Sequence, residues 1–261
     1  MNILTEIIEY KRKVVAARKA AVPIAVLERS DLFRRNCNSL KASLTRTGST
    51  GIIAEFKRRS PSKGIINGRS TVEEVTSGYA SNGASGLSVL TDEKYFGGSD
   101  EDLIVARKNA LPILRKDFIV DEYQLVESKS IGADVVLLIA ACLSKDEVKQ
   151  LAATAKALGL EVLFEVHNGA ELDSVCDAVD MVGVNNRNLA TFEVDIRHSL
   201  DLVNKIGTDK VPVAESGIDS VETIRLLRDA GFKGFLMGEH FMKQDDPTIA
   251  FADFANQLKA R

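Results

Sequence analysis

Residues 121–164 of the chain read DEYQLVESKSIGADVVLLIAACLSKDEVKQLAATAKALGLEVLF. In this stretch, apolar residues recur at helical spacing over 121–131 and again over 145–158, and an apolar run of strand length follows each helical stretch. A glycine stands at each predicted helix end, where it reaches the left-handed backbone conformation at little cost. Helices that alternate with continuously apolar strands predict a parallel sheet with both faces buried.

The same pattern recurs along most of the chain. Apolar runs begin roughly 20–35 residues apart, which is the length of one strand–helix unit. Eight runs occur, at 52–54, 86–90, 112–114, 134–139, 162–164, 181–184, 211–214 and 234–237. Further helices are predicted at 71–82 and 220–230, each again followed by a glycine. Eight units predict an α/β fold of the closed (β/α)8 type, a TIM barrel, rather than an open sheet of about five to seven strands.

The first 45 residues follow a different pattern. Apolar residues from Ile3 to Val15 recur at helical spacing, with charged residues on the other face. Pro23 is expected to end this helix or to begin the next one. We therefore predict an N-terminal helical extension over residues 1–45, packed on a single barrel domain over residues 46–261.

Composition and charge exclude several classes of protein. Hydrophobic residues make up 45% of the 261 residues and charged residues 27%, which is typical of a folded globular protein. The net charge of −3, from 34 Lys+Arg and 37 Asp+Glu, argues against a general nucleic-acid surface. The chain has no apolar run of about 18 residues and no signal-peptide pattern, so we expect a cytoplasmic protein without membrane partners. We expect a monomer, with a weak dimer as the alternative.

The cysteines and histidines are few and scattered. They are Cys37, Cys142, Cys176, His167, His198 and His240. This distribution argues against both a disulfide framework and a thiolate metal site, and the phosphate-loop and dinucleotide motifs are missing as well. We therefore predict no metal and no cofactor. Among the histidines, only His167 is expected near the active-site rim, and all three are expected to be surface or supporting groups.

Polar residues cluster where the strands are predicted to end. In a barrel of this kind the active site lies at the carboxyl ends of the strands. The residues at these ends are Glu55, Lys57, Thr91, Asp92, Arg115, Lys116, Asp117, Glu165, Asn185, Asn186, Arg187, Glu215, Ser216, Gly217, Gly238 and Glu239. A single charge at a strand end is usually solvated, but two lysines and three glutamates from four strands indicate a catalytic site.

Two glycine-containing turns follow the seventh and eighth predicted strands, at Ser216-Gly217 and Gly238-Glu239. The loops after these strands form the usual phosphate site of such barrels, because free backbone N–H groups bind anions. The turns therefore predict a small phosphorylated substrate, with Lys57 adding positive charge. The basic loop over residues 58–64 is either a lid over an anionic ligand or an ordinary exposed loop.

Two longer segments of the chain are specific enough to compare with a known family: IAEFKRRSPSKG at 53–64 and PILRKDF at 112–118. Shorter segments occur in order along essentially the whole chain: SVLTD at 88–92, FGGS at 96–99, GAD at 132–134, LLI at 137–139, EVH at 165–167, GVNNRNL at 183–189, ESGI at 215–218 and MGE at 237–239. Together these segments resemble the indole-3-glycerol phosphate synthase family. Leu40 departs from the family, which commonly has Phe there, and we expect this to affect how the extension packs over the substrate.

The resemblance implies a decarboxylating lyase of tryptophan biosynthesis. The family converts 1-(2-carboxyphenylamino)-1-deoxyribulose 5-phosphate to indole-3-glycerol phosphate, CO2 and water. It implies that Lys116 is the general acid and Glu165 the base, although the proton transfers among Lys57, Lys116 and Glu165 stay open. We also expect a catalytic lysine with a lowered pKa, because two ammonium groups share a partly closed barrel mouth.

The resemblance also implies roles for the other rim residues. Lys57 and Asn185 would hold the substrate carboxylate, while Glu55, Glu215 and Ser216 would orient the lysines and the sugar hydroxyls. The implied phosphate site consists of Lys57, Gly217, Gly238 and Glu239. Further substrate contacts are expected from Ser62, Phe118 and Arg187.

Two other functions remain open at this point. Phosphoribosylanthranilate isomerase is also a phosphate-binding barrel, but its reaction uses a Cys and Asp pair, and Lys57 rather than a cysteine follows the first strand. A barrel that binds the ligand without turnover is the second alternative, against which the intact Lys57, Lys116 and Glu165 argue. A fluorescence assay for the indole product distinguishes these cases.

Overall fold

The computed structural model describes residues 3–188 and 191–260 and confirms the predicted (β/α)8 barrel with a helix at its N-terminus. Leu189, the last residue of the family-like segment 183–189, lies outside the described residues. Each parallel strand pairs with its neighbours in the sequence, and the last strand closes onto the first. The barrel strands are β1 Ile52–Phe56, β2 Gly86–Leu90, β3 Ile113–Lys116, β4 Val135–Ile139, β5 Glu161–Val166, β6 Met181–Asn185, β7 Val211–Glu215 and β8 Gly234–Met237.

Helices surround this sheet and precede it. They are α1 Ile3–Ala21, α2 Ile24–Leu27, α3 Leu40–Thr45, α4 Val72–Ser81, α5 Glu93–Phe96, α6 Asp100–Ala106, α7 Tyr123–Ser130, α8 Lys145–Ala157, α9 Arg197–Leu202, α10 Val221–Ala230, α11 Glu239–Met242 and α12 Pro247–Lys259. Short 3-10 segments lie at Ala140–Cys142, Gly169–Ser174 and Val203–Lys205. Within the described ranges, none of these helices is both long enough and apolar enough to cross a membrane.

The strands β1, β3, β5, β6 and β7 continue beyond the predicted apolar runs, by up to two residues. Backbone pairing does not require apolar side chains, and alternate residues at these ends point into the barrel, where polar groups share one space. In β3, Leu114 belongs to the cluster inside the barrel and Lys116 follows on the same side, whereas Arg115 points out toward the helices. The functional lysine therefore lies within the strand and not after it.

Helix α3 closes the amino end of the barrel. Leu40 and Leu44 are buried in the inner cluster with Ile53 and Leu114. A methyl group added to Gly86, at the start of β2, would lie 2.5 Å from the Leu40 side chain. The expectation that Leu40 affects packing over the substrate is wrong. Helix α3 ends shortly before β1 begins, so it must lie at the amino ends of the strands, whereas the substrate cavity lies at their carboxyl ends.

Helix α1 is attached to the opposite rim by buried ion pairs. Lys11 is 5% exposed, and its Nζ lies 2.8 Å from Asp92 Oδ2 and 2.7 Å from Asp117 Oδ1. Burial alone would lower the pKa of Lys11, but the two aspartates outweigh it and raise the pKa. Arg115 is fully buried and joins Asp117 to Glu127, so this arginine supports the rim from outside the cavity.

We expect the Lys11→Met substitution to lower the free energy of unfolding by about 3 kcal/mol, because it leaves buried Asp92 without its cation and removes one of the two cations beside Asp117. Lys19→Met is the matched control on the same helix. Lys19 is half-exposed and pairs with Asp121, so its loss should cost less than about 1 kcal/mol. Urea unfolding of both variants measures the difference, and equal effects would contradict the anchoring role of Lys11.

Candidate active site

One cavity of about 740 Å³ opens at the carboxyl ends of the strands. All thirteen residues predicted for the site line it: Glu55, Lys57, Ser62, Lys116, Phe118, Glu165, Asn185, Arg187, Glu215, Ser216, Gly217, Gly238 and Glu239. Thr91, Asp92, Arg115 and Asn186 were also counted at the strand ends but do not line the cavity. Thr91, Arg115 and Asn186 each follow an inward-facing residue and therefore point outward, as the alternation of the strands requires. Asp92 lies beyond the end of β2 and pairs with Lys11 of α1 instead.

Lys116 lies at the centre of the charged groups. Its Nζ is 2.8 Å from Glu165 Oε2 and 3.1 Å from Glu215 Oε2, so it bridges two carboxylates from β5 and β7. Burial acts to lower the pKa of Lys116, but Glu165, Glu215 and Glu55 outweigh burial and raise it. For Lys116, the expectation of a lowered lysine pKa is wrong. Carboxylates, and not the second ammonium group, are the nearest charges.

The two carboxylates on Lys116 have opposite pKa shifts. Burial acts to raise the pKa of Glu165, but Lys116, His167 and the Asn185 amide stabilise its charge and lower the pKa to about 2. Burial raises the pKa of Glu215 to about 7, and the negative charge of Glu165 adds to this shift while Lys116 opposes it. Glu215 Oε1 is buried and makes no hydrogen bond within the described part of the chain. It is therefore an acceptor without a hydrogen-bond partner in the described residues, packed against Gly183.

Asn185 and Ser216 connect β6 and β7 beside Glu165. The Asn185 side-chain amide donates to Glu165 Oε1 at 3.1 Å, and the Ser216 hydroxyl donates to Asn185 Oδ1 at 2.8 Å. Ser216 has a φ of 65°, which is unusual for a residue other than glycine. Such strain persists where the surrounding structure holds it, and here it orients the hydroxyl toward Asn185.

A second ion pair lies on β1 and the residue after it. Lys57 Nζ is 2.7 Å from Glu55 Oε1, and the Ser88 hydroxyl lies 3.3 Å from Glu55 Oε2. Gly238 directly follows β8 and lies beside Glu55, so that a methyl group added to Gly238 would lie 2.7 Å from Glu55 Oε1. Gly238 is therefore needed for the close approach of β8 to Glu55.

The basic loop after β1 forms a short hairpin in which Arg59–Ser60 pairs with Gly64–Ile65. Residues 60–63 line the cavity, but the two arginines turn away from it. Arg58 pairs with Asp102, and Arg59 donates to backbone carbonyl groups of α5. The positive charge that the loop offers to the cavity is therefore Lys63, which lies 3.8 Å from Glu239.

Sequence reasoning missed the apolar wall of the cavity. The wall includes Ile3, Ile7, Phe96, Leu137, Ile139, Phe192, Ile218 and Leu236. The period-two alternation of β4 and β8 contained a signal for Leu137, Ile139 and Leu236, but helix α1 and the loops gave none. These apolar side chains lie among the charged groups, since Ile139 pairs with Glu165 and Leu236 with Glu215 on neighbouring strands. A cavity lined by both kinds of residue suits a ligand with an aromatic part and an anionic part.

Two histidines lie near the site. His167 Nε2 lies 3.4 Å from Glu165 Oε1, just behind the cavity wall. His240 lines the cavity and packs edge-on against Phe241 and Phe254, so the expectation that only His167 lies near the rim is wrong. His240 directly follows the Gly238-Glu239 turn, which could have located it from the sequence.

Comparison with known proteins now identifies the family. The family model for indole-3-glycerol phosphate synthase matches residues 4–254. An indole-3-glycerol phosphate synthase of Bacteroides thetaiotaomicron is 48% identical over 259 residues, which cover 99% of each chain. The chain belongs to the indole-3-glycerol phosphate synthase family. Another indole-3-glycerol phosphate synthase, from Chromobacterium violaceum, is 44% identical and covers 96% of this chain and 97% of its own.

Solved structures of other proteins share the barrel of this indole-3-glycerol phosphate synthase family member. The 3-hexulose-6-phosphate synthase of Salmonella typhimurium superposes with a TM-score of 0.61 at 14% identity, covering 80% of this chain and 96% of its own. KGPDC of Streptococcus mutans has a TM-score of 0.60 at 13% identity and the same coverage. At these identities the likeness shows the fold alone.

Gly183 leaves room for Glu215, and its substitution tests this arrangement. A methyl group at Gly183 would lie 2.2 Å from Glu215 Oε1, so Gly183→Ala must displace the carboxylate from Lys116. We expect kcat/KM for the family reaction to fall by about 10- to 100-fold, because small displacements of catalytic groups are costly.

The control for Gly183→Ala is Gly169→Ala, where the added methyl group meets its first neighbour at an ordinary 3.6 Å. This variant should keep the wild-type kcat/KM, and circular dichroism should find both variants folded. Full activity of folded Gly183→Ala would contradict the requirement for Glu215 at this position.

Proposed function

We propose that this chain is an indole-3-glycerol phosphate synthase. It closes the indole ring of 1-(2-carboxyphenylamino)-1-deoxyribulose 5-phosphate and releases CO2 and water. The observation that carries the proposal is the Lys116 ammonium held by Glu165 and Glu215, in the same cavity as the Lys57–Glu55 pair. The apolar residues that line the same cavity suit the aromatic ring of the substrate, and the polar residues suit its sugar phosphate.

In the ring-closing step, Lys116 acts as the general acid. An aryl carbon attacks the ketone carbon, and the oxygen that becomes negative takes a proton from the ammonium group. The two carboxylates keep Lys116 charged before the substrate arrives, as its raised pKa indicates. Glu215 also accepts a sugar hydroxyl with Oε1, the oxygen that makes no other hydrogen bond in the described residues.

Decarboxylation and loss of water follow in the same cavity. Lys57 and Asn185 hold the carboxylate out of the ring plane, so that the breaking bond lies parallel to the ring orbitals. Glu165 then acts as the base for dehydration, and its low pKa keeps it unprotonated at neutral pH. It takes a proton from the carbon bonded to the ring nitrogen and passes this proton to the departing hydroxide, which leaves as water, so Glu165 ends the step as a carboxylate. Glu55 orients Lys57, and Ser216 orients Asn185 through their hydrogen bonds.

The phosphate group is held near the ends of β7 and β8. Gly217, Gly238 and Glu239 line this part of the cavity, where their backbone N–H groups bind the phosphate, and Lys57 supplies a positive charge. Glu239 contributes only its backbone, because its carboxylate is an anion and lies 3.5 Å from Arg187. Arg187, Ser62 and Phe118 complete the substrate contacts.

The cellular setting forms part of the same proposal. We place the protein in the cytoplasm, acting on a small phosphorylated molecule as a monomer, with a weak dimer as the alternative. The helices over residues 1–45 serve the barrel domain of residues 46–261: α1 covers its mouth and α3 plugs its base. The net charge of −3 supports the absence of a nucleic-acid partner.

No metal or cofactor is required, since the reaction includes no redox step.

The alternative functions receive less support. None of Cys37, Cys142 and Cys176 follows β1, so the acid–base pair of the isomerase reaction has no counterpart at that strand end. A barrel that only binds its ligand would not need an acid and a base within 2.8 Å of each other. Indole fluorescence with the carboxyphenylamino substrate decides between turnover and binding.

We expect Lys116→Arg to reduce kcat by about 100-fold or more, because guanidinium does not release its proton at neutral pH. Substrate affinity should change less, since the positive charge stays between Glu165 and Glu215. Lys41→Arg, on α3 at the other end of the barrel, is the control and should keep the wild-type kcat. A Lys116→Arg variant with near wild-type turnover would exclude Lys116 as the acid.

Glu165→Gln should also lower kcat by about 100-fold or more, because the amide cannot accept the proton. Its shape and its contact with Asn185 are preserved, so the dissociation constant for the substrate should change little. Glu222→Gln on the exposed face of α10 is the control. Steady-state kinetics and a binding titration measure the two quantities, and unchanged turnover would remove Glu165 from the mechanism.

A further inference from the structure

The proposed reaction consumes a proton in every turnover. The substrate carboxylate is an anion that leaves as neutral CO2, so the site must take up a proton from solvent to restore its charge state. Lys116 loses this proton to the new hydroxyl group and is left as a neutral amine. Glu165 is 4% exposed in its side chain, and a substrate filling the main cavity separates the Lys116–Glu165 pair from solvent at the mouth.

His167 connects the back of Glu165 to a different region of the surface. Its Nε2 lies 3.4 Å from Glu165 Oε1, and its Nδ1 lies 3.8 Å from Glu171 Oε2. Both contacts are ion-pair distances, and neither ring nitrogen makes a hydrogen bond to the described residues, although both are buried. Glu171 is held in place by the His167 backbone N–H at 2.6 Å and by the Asn168 side chain at 2.8 Å.

A second cavity of about 660 Å³ lies on this side. His167 and Glu171 line it, and α1 contributes Glu9 to the opposite side. Leu4, Asn185 and Arg187 line both cavities and therefore lie at the boundary between them. The His167 side chain is 13% exposed and lines the second cavity but not the main one.

We propose that His167 returns the consumed proton to the active site from the second cavity. The imidazolium transfers its Nε2 proton to the Glu165 carboxylate, and from there the proton reaches the neutral Lys116 amine that is bonded to the same carboxylate. This transfer leaves a neutral ring that is still protonated at Nδ1. The ring, whose nitrogens make no hydrogen bond among the described residues, turns about its Cβ–Cγ bond, and the bare Nε2 takes up a proton from the side of Glu171 and the second cavity, which restores the imidazolium. His167 acts through Glu165 and does not touch the substrate. This inference rests on the proposed function, because the proton demand comes from that reaction.

The charges around His167 favour its protonated form. Burial acts to lower the pKa of His167, but Glu171, Glu165 and Glu215 outweigh it and raise the pKa above its usual value. Across the second cavity it faces the Glu9 carboxylate, the Arg187 guanidinium and the His198 imidazole. Cys142 lies beside it with a pKa that burial raises to about 12, so the thiol is neutral. His167 therefore keeps its proton to a higher pH than an ordinary histidine and loses it as the pH rises further.

The test is the kinetics of His167→Gln, which keeps polarity but cannot carry a proton. We expect kcat to fall by about tenfold or more, because proton return becomes slow. Added imidazole should restore part of kcat in this variant and leave the wild type unchanged. Glu171→Gln should move the alkaline limb of the kcat profile to lower pH, since His167 loses a neighbouring negative charge.

His198→Gln is the control, because His198 lines the same cavity but is exposed; it should behave as the wild type. A kcat of His167→Gln within about twofold of the wild type would overturn the relay. A lower kcat that imidazole does not raise, with an unmoved alkaline limb in Glu171→Gln, would also overturn it in favour of a structural role. A wild-type chain without indole product would overturn the proposed function and the relay together.

Discussion

Closure of the parallel sheet is the constraint on which the site depends. In a closed barrel every second side chain of each strand points to one axis, and no strand edge is left to absorb an irregularity. The lower positions on this axis are filled mainly by apolar residues, including Leu40 and Leu44 of α3, which offer no partner to a charge. Charged groups that point to the same axis at the carboxyl ends must therefore pair with each other. Lys116 meets Glu165 and Glu215 for this reason.

The pairing explains why the catalytic lysine keeps its charge. Two ammonium groups in a confined space would depress each other's pKa, but three carboxylates share the space with them. Lys57 forms an ion pair with Glu55, and Lys116 forms ion pairs with Glu165 and Glu215. One lysine cannot neutralise two carboxylates fully, so Glu165 holds its charge and Glu215 has a raised pKa. The site thus contains a charged acid, a charged base and a carboxylate that titrates near neutrality.

The N-terminal extension acts at both ends of the barrel. Its first helix contributes Ile3 and Ile7 to the cavity and is held by Lys11, while α3 fills the base. The ion pairs of Lys11 reach Asp117, the residue directly after Lys116, and Arg115 supports the same aspartate from the other side of the strand. Buried charges of this kind contribute less to net stability than apolar packing would, but they specify one position for the helix. The wall over the active site is therefore rigidly linked to the strand that carries the acid.

The amino-acid sequence by itself determined the repeating units, the eight strands and the set of residues at the strand ends, because these follow from local periodicity. It also determined the left-handed glycines after the helices, because these follow from backbone preference. Local patterns did not reveal that Arg115 faces outward while Lys116 faces inward, since that depends on where each strand ends and on its register. They also did not place α3 at the base, the apolar wall over the cavity or His167 against Glu165. Only the tertiary structure decided these contacts and the charge states that follow, because Lys116 and Glu215 are 99 residues apart and meet only when the barrel closes.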